Sequence, residues 1–173
     1  MEMSKRIIIG IDPDNQKSGM AVIGLPEKSI SVYKLDFPTL ISVLKTTSGN
    51  HKNVEVIIEG GWLNSSNWHT LNYRMSKSMA AEIGRRTGMN HQTGILIAEM
   101  CKDFGMNVQV VKPLKKYWKG KDGKITQEEA TYFMGELPRM NQDQRDALLL
   151  AWVYAGLTVK VKPITKRKCA KSC

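Results

Sequence analysis

Arg6-Ile7-Ile8-Ile9-Gly10-Ile11-Asp12-Pro13 is an unbroken apolar run that ends in an acid. The lack of polar alternation predicts a central strand covered on both faces, because a half-exposed strand would alternate. Pro13 biases Asp12 toward extended backbone and cannot continue a ladder. The strand is therefore expected to open into a loop at the carboxylate. Val54-Glu55-Val56-Ile57-Ile58-Glu59-Gly60-Gly61 repeats the pattern: a short apolar strand with an acid at its end. Between the two, Ser18 to Leu25 and Ile30 to Leu35 read as strands set off by the turn residues Pro13 to Lys17 and Pro26-Glu27-Lys28, which makes an antiparallel meander. Phe37 to Ser48, with Leu40, Ile41 and Leu44 on one side, reads as a helix that returns the chain. A helical crossover makes the Val54 strand parallel to the first, and Glu59 then lies beside Asp12.

In the second half, Leu71 to Arg86 reads as a helix carrying Met75, Met79 and Ile83. Thr93 to Phe104 reads as a further helix stopped by Gly105. Val108 to Val111 is the fifth strand, ended by Pro113. Thr126, followed by Glu128 and Glu129, caps a short helix to about Met134. The last helix, from about Gln142 to Leu157, is apolar on nearly all sides beyond Asp146 and is expected to be buried. Asp143 and Asp146 are three apart at its start, so they can point the same way. With this helix across the two strands, Asp12, Glu59, Asp143 and Asp146 converge. Four carboxylates share a small volume at neutral pH only if protons or cations offset their repulsion. Hard divalent ions that take oxygen ligands, Mg²⁺ or Mn²⁺ as its substitute, answer that need.

Gly10-Ile11-Asp12-Pro13 followed by Ser18-Gly19, then Ile57-Ile58-Glu59, then Asp143-x-x-Asp146-Ala147-Leu148, resembles the RuvC-type Holliday-junction resolvases of the RNase H-like nuclease superfamily. The resemblance runs from about Lys5 to Leu157. It implies an α/β, RNase H-like fold with a five-stranded mixed sheet, in the order 3-2-1-4-5, flanked by helices. It also implies a crossover junction endodeoxyribonuclease that hydrolyses phosphodiester bonds at four-way junctions with two divalent ions per site, leaving 5′-phosphate and 3′-hydroxyl ends. In that reading Asp12 bridges both ions, Glu59 and Asp146 complete the shells, and Asp143 ligates or orients a water. A homodimer follows, because symmetric cleavage of a junction needs two sites. Trp62, three residues after Glu59, matches the position of an aromatic that stacks on unpaired bases. The chain departs from the family at Asp14, where Gly is usual, at Ser18 for Thr, at Gly60 for Gln, and at Glu128-Glu129, where a lysine is often found. Two other readings stand beside this one: an RNase H-like nuclease acting on other branched or RNA-containing substrates, and a catalytically silent nucleic-acid-binding module.

The charge balance agrees with a polyanionic partner. The 173 residues carry a formal charge of +10, and six Lys or Arg with no acid lie between Lys160 and Cys173. Residues 1–158 are expected to form one nuclease domain, and 159–173 a disordered basic tail with nonspecific, salt-sensitive affinity for DNA. Lys112 to Lys124 holds six lysines against one acid, with Tyr117 and Trp118 adjacent. Lys115, Lys116, Lys119, Lys121 and Lys124 can neutralise phosphates while Trp118 stacks on an exposed base, or Trp118 is tucked into the core. Arg74, Lys77, Arg85 and Arg86 either extend the phosphate track or solvate a helix face. His51, His69 and His91 lack paired ligand spacing and read as structural or exposed. No apolar run is long enough for a membrane span or a secretory signal, and Cys101, Cys169 and Cys173 have no framework spacing. A cytoplasmic protein with free thiols is the expectation.

Overall fold

The computed structural model describes residues 5–64 and 75–161. Five strands form one sheet: β1 (Arg6–Asp12), β2 (Ser18–Leu25), β3 (Ser29–Leu35), β4 (Val54–Glu59) and β5 (Asn107–Val111). Their order is β3-β2-β1-β4-β5. The first three pair antiparallel, and β1, β4 and β5 run parallel. This is the mixed sheet expected from the sequence, with the Ile-rich β1 at its centre.

Alternation along the strands divides the core in two. Ile7, Ile9, Ile11, Val54, Val56 and Ile58 face a layer made by α1 (Phe37–Asn50) and α2 (Lys77–Asp103), to which Leu40, Leu44, Ile97, Ala98 and Cys101 contribute. Ile8 and Ile57 face the opposite layer, made by α3 (Gln127–Met134) and α4 (Gln142–Tyr154) with Ala147 to Trp152. Burial on both faces is why β1 shows no polar alternation, and each buried isoleucine contributes about 1.5–3 kcal/mol. Asp12 and Glu59 fall in the same phase as Ile8 and Ile57, so the pleat sends both acids to the α4 side.

Helix α4 lies directly on the strand backbones. A Cβ at Gly10 would overlap the Ala147 carbonyl oxygen, and one at Gly19 would overlap the Asp143 carbonyl. The helix starts at a capping box in which Asn141 accepts from the Gln144 N–H at 2.9 Å while Gln144 accepts from the Asn141 N–H at 3.0 Å. It stops at Tyr154 rather than Leu157. Gly156 takes a left-handed φ of 74°, and the Leu157 N–H folds back to the Trp152 carbonyl at 3.2 Å.

Two of the expected helices are one. Helix α2 runs 27 residues without a break from Lys77 to Asp103, through Gly84, Gly88 and Gly94. Its expected beginning near Leu71, together with Arg74 and the tail beyond residue 161, lies outside the described residues. No helix among the described residues is long and apolar enough to cross a membrane.

Candidate active site

The β1–β4 register pairs Ile11 with Ile58, which carries Asp12 and Glu59 side by side at the next position. Each closes its strand with a partly buried side chain. Burial is the largest influence holding the Asp12 carboxyl well above its ordinary value, followed by the negative charges of Glu59 and Asp146 and, last, Asp143. Glu59 is raised in the same way, first by burial and then by the charge of Asp146, against the opposing pull of Lys124 and Lys116. Glu59 lines one hollow with Asp12 and another with Asp146, so the acids of β1, β4 and α4 lie near one another.

The two α4 acids are differently placed. Asp146 is enclosed, with 15% of its side chain exposed, and Lys124 Nζ donates to its Oδ2 at 2.7 Å. Its Oδ1 accepts from Gln142 Nε2 at 2.7 Å. Asp143 lies further out and accepts from Lys34 Nζ at 3.0 Å. Lys34 reaches it because it stands opposite Gly19 on the β2–β3 ladder. Among the described residues no three His, Cys, Asp or Glu side chains stand ready as a metal-binding group. Asp146 is paired with Lys124 and Asp143 with Lys34. The donor set still suits a hard divalent ion: four carboxylates, two of them carrying repulsion that a bound cation would relieve.

The loop between β5 and α3 is a built structure rather than a loose lysine strand. The Trp118 N–H donates to the Gly123 carbonyl and the Gly120 N–H to the Lys124 carbonyl, each at 3.0 Å. Asp122 and Gly123 turn it with φ of 56° and 73°. Glu129, only 2% exposed, closes the capping box of α3 with Thr126 and also accepts the Lys119 N–H at 3.1 Å. Lys115, Lys116 and Lys124 border a hollow whose other walls include Glu59 and Asp146. Lys119 and Lys121 are exposed.

Trp118 corrects an expectation. It is 6% exposed and belongs to the α3–α4 core, so it is not the ring that meets a base. The exposed aromatic is Tyr117, at 56%, stacked on Trp118 at 4.8 Å, and Trp118 stacks in turn on Phe133 at 5.8 Å. Adjacency in sequence could not tell which of the two faces inward.

On the other side of the acids, a cleft is lined by Asp12, Pro13, Glu59, Trp62, Thr87, Asn90, His91 and Lys124. Trp62 is partly buried. Its ring edge lies where a Cβ at Gly94 would stand, and His91 meets it edge-on with centroids 6.0 Å apart. His91, read from the sequence as structural or exposed, thus borders the acid cleft. Asn90 Oδ1 accepts the Asn15 N–H at 3.0 Å, which ties the β1–β2 loop to α2. Nothing in the spacing of the chain announces either residue. Arg85 and Arg86 sit about one turn before them and are exposed. Both donate to Glu82, whose carboxyl their hydrogen bonds lower to about 2.

No protein family model and no curated protein sequence matches the chain. Among the solved structures similar to it are two at 17% identity. One, of Thermus thermophilus RuvC, gives a TM-score of 0.44 over 87% of this chain and 96% of that one. The other, T. thermophilus RuvC in complex with a Holliday junction substrate, gives a TM-score of 0.45 over 86% of this chain and 92% of that one.

Proposed function

We propose that this protein is a divalent-metal-dependent, structure-selective DNA endonuclease acting on branched DNA, four-way junctions foremost, as a homodimer. The observation that carries the reading is the pair Asp12 and Glu59. They are delivered side by side by adjacent parallel strands; Asp12 is burdened by burial and by the charges of Glu59 and Asp146, and Glu59 by burial and by the charge of Asp146. Asp12, Glu59 and Asp146, with Asp143 at the rim, are the residues that would hold two Mg²⁺ ions. Bound there, they would supply activation of a water for attack on phosphorus and offset charge on the leaving oxygen.

The remaining work falls to the rest of the chain. Lys115, Lys116, Lys119 and Lys121 neutralise phosphates along the β5–α3 loop, and Arg85 and Arg86 extend the basic track on α2. Tyr117, exposed and backed by the Trp118–Phe133 stack, offers its free face to an unpaired base. Trp62 forms a wall of the cleft against Gly94, His91 and Pro13, shaping the approach to Asp12.

The test is a synthetic four-way junction incubated with Mg²⁺, beside a linear duplex and an RNA-containing branch. Wild-type protein is expected to cut the junction, and Asp12→Asn to cut it at least about 10³-fold more slowly, equivalent to roughly 4 kcal/mol of barrier. Equal cleavage by both proteins would end the proposal, and preference for the RNA-containing branch would move the substrate. One feature favours the silent binding module, namely that Lys124 already stands where a cation is needed. Binding of the junction without cleavage by wild type is the result that module requires.

A further inference from the structure

Lys124 reaches the acids from the β5–α3 loop, and its position is fixed from several directions. Its carbonyl accepts the Gly120 N–H at 3.0 Å, and its own N–H donates to the Lys121 carbonyl at 3.2 Å. The neighbouring Ile125 carbonyl accepts from Arg145 Nε at 3.0 Å, which bolts the loop to α4. The side chain is two-thirds enclosed, and its ammonium meets Asp146 Oδ2 at 2.7 Å while borders of both hollows flanking the acids include it. With Gln142 on Oδ1, both oxygens of Asp146 are engaged by donors of this chain.

We propose that Lys124 is the resident counter-cation of the acid cluster and gates divalent-ion entry, because Asp146 becomes a ligand only once the ammonium lets go. This rests on the metal-dependent reading above. A fixed cation among carboxylates acts on an incoming ion twice. It occupies ligand oxygens, and it repels positive charge across a poorly hydrated gap. Lys116 also pulls on Glu59 but makes no hydrogen bond to an acid of the cluster among the described residues. It therefore serves as a control for diffuse charge.

The test is Mn²⁺ binding to the full chain without DNA, followed by calorimetry and by the paramagnetic resonance of free Mn²⁺. Lys124→Met is expected to bind at least tenfold more tightly than wild type, Lys124→Arg to stay within about threefold of it, and Lys116→Met to gain markedly less than Lys124→Met. Lys124→Gln, which keeps a donor for Asp146 without the charge, is expected to fall between Met and wild type and covers the case in which Lys124→Met misfolds. Binding by Lys124→Met but not by wild type supports the gate in its strongest form. Equal affinity in wild type, Lys124→Met and Lys124→Gln overturns the gate alone, as does an equal gain in Lys116→Met. No binding in any variant overturns the gate together with the metal-dependent reading.

Discussion

The four acids form two pairs of the same charge in opposite states. Asp12 and Glu59, at the ends of β1 and β4, are pushed up by burial and by neighbouring carboxylates. Asp143 and Asp146, in the first turns of α4, each have a lysine ammonium of the chain in contact, from Lys34 and Lys124. Among the described residues no ion pair meets the two strand acids, which feel the charge of Lys124 without contact, whereas the helix acids are each paired. Half the site is thus left with stored repulsion that a bound cation can relieve, while the other half is held shut by ion pairs.

Gly10→Ala strikes at the approach that brings the halves together, because its Cβ must displace the backbone of α4 at Ala147 and Ala151. A loss of about 3 kcal/mol is expected from such overpacking, read as a lower denaturant midpoint. An unchanged midpoint would show that α4 does not need that contact. Next in size is Asp12→Asn in metal-free protein, where removing a repelled, desolvated charge is expected to stabilise the fold by about 1–3 kcal/mol. In a chain of this size each 1 kcal/mol raises Tm by about 2–4 °C. Asp146→Asn, which orphans Lys124, is expected to lower Tm instead, and the same sign for both would erase the contrast.

The pH dependence sharpens it further. Asp12 and Glu59 ionise near pH 4 in the unfolded chain but hold their protons to higher pH when folded, so the folded state binds more protons above that point. Metal-free stability is therefore greatest, for these two groups, below about pH 4 and declines as pH rises through their folded values. Melting curves in chelator between pH 4 and 8 should show the decline for wild type and a shallower one for Asp12→Asn; parallel curves would refute it. The smallest effect belongs to Lys34→Ala. Its ion pair is more than one-third exposed on the lysine side, so a change of about 0.5 kcal/mol or less is expected, and a change above about 2 kcal/mol would mean that Asp143 depends on Lys34 as Asp146 does on Lys124.

The legible part of the molecule was the part with strong periodicity. Ile7 to Ile11 and Val54 to Ile58 are apolar on both faces because each is covered twice, and the acids that end them could only be strand-exit residues. The crossover rule then brought Asp12 to Glu59, and the three-residue spacing aimed Asp146 at both. Helix α2 was not legible in full. The sequence reads as two helices, Leu71 to Arg86 and Thr93 to Phe104, yet one helix runs through the stretch between them, and a Cβ at Gly84 or Gly88 would meet nothing within 4 Å. Gly94 is there for a long-range reason, as the notch that receives the Trp62 ring. The same limit applies to Lys124 and Asp146, 22 residues apart, and to Lys34 and Asp143, 109 apart. Charge pairing across such separations depends on loop geometry that composition does not encode. Of the two readings of Trp118 the core one holds, with its ring stacked on Phe133, while the adjacent Tyr117 is the exposed ring.

Glu129 gives the β5–α3 loop a property that reaches beyond its hydrogen bonds. One buried carboxylate both starts α3 and takes the Lys119 N–H, so the main chain beneath the lysines is ordered before any partner arrives. Association with the polyanion proposed above would then restrict side-chain rotamers but little backbone, and less conformational entropy of this chain would be lost on binding.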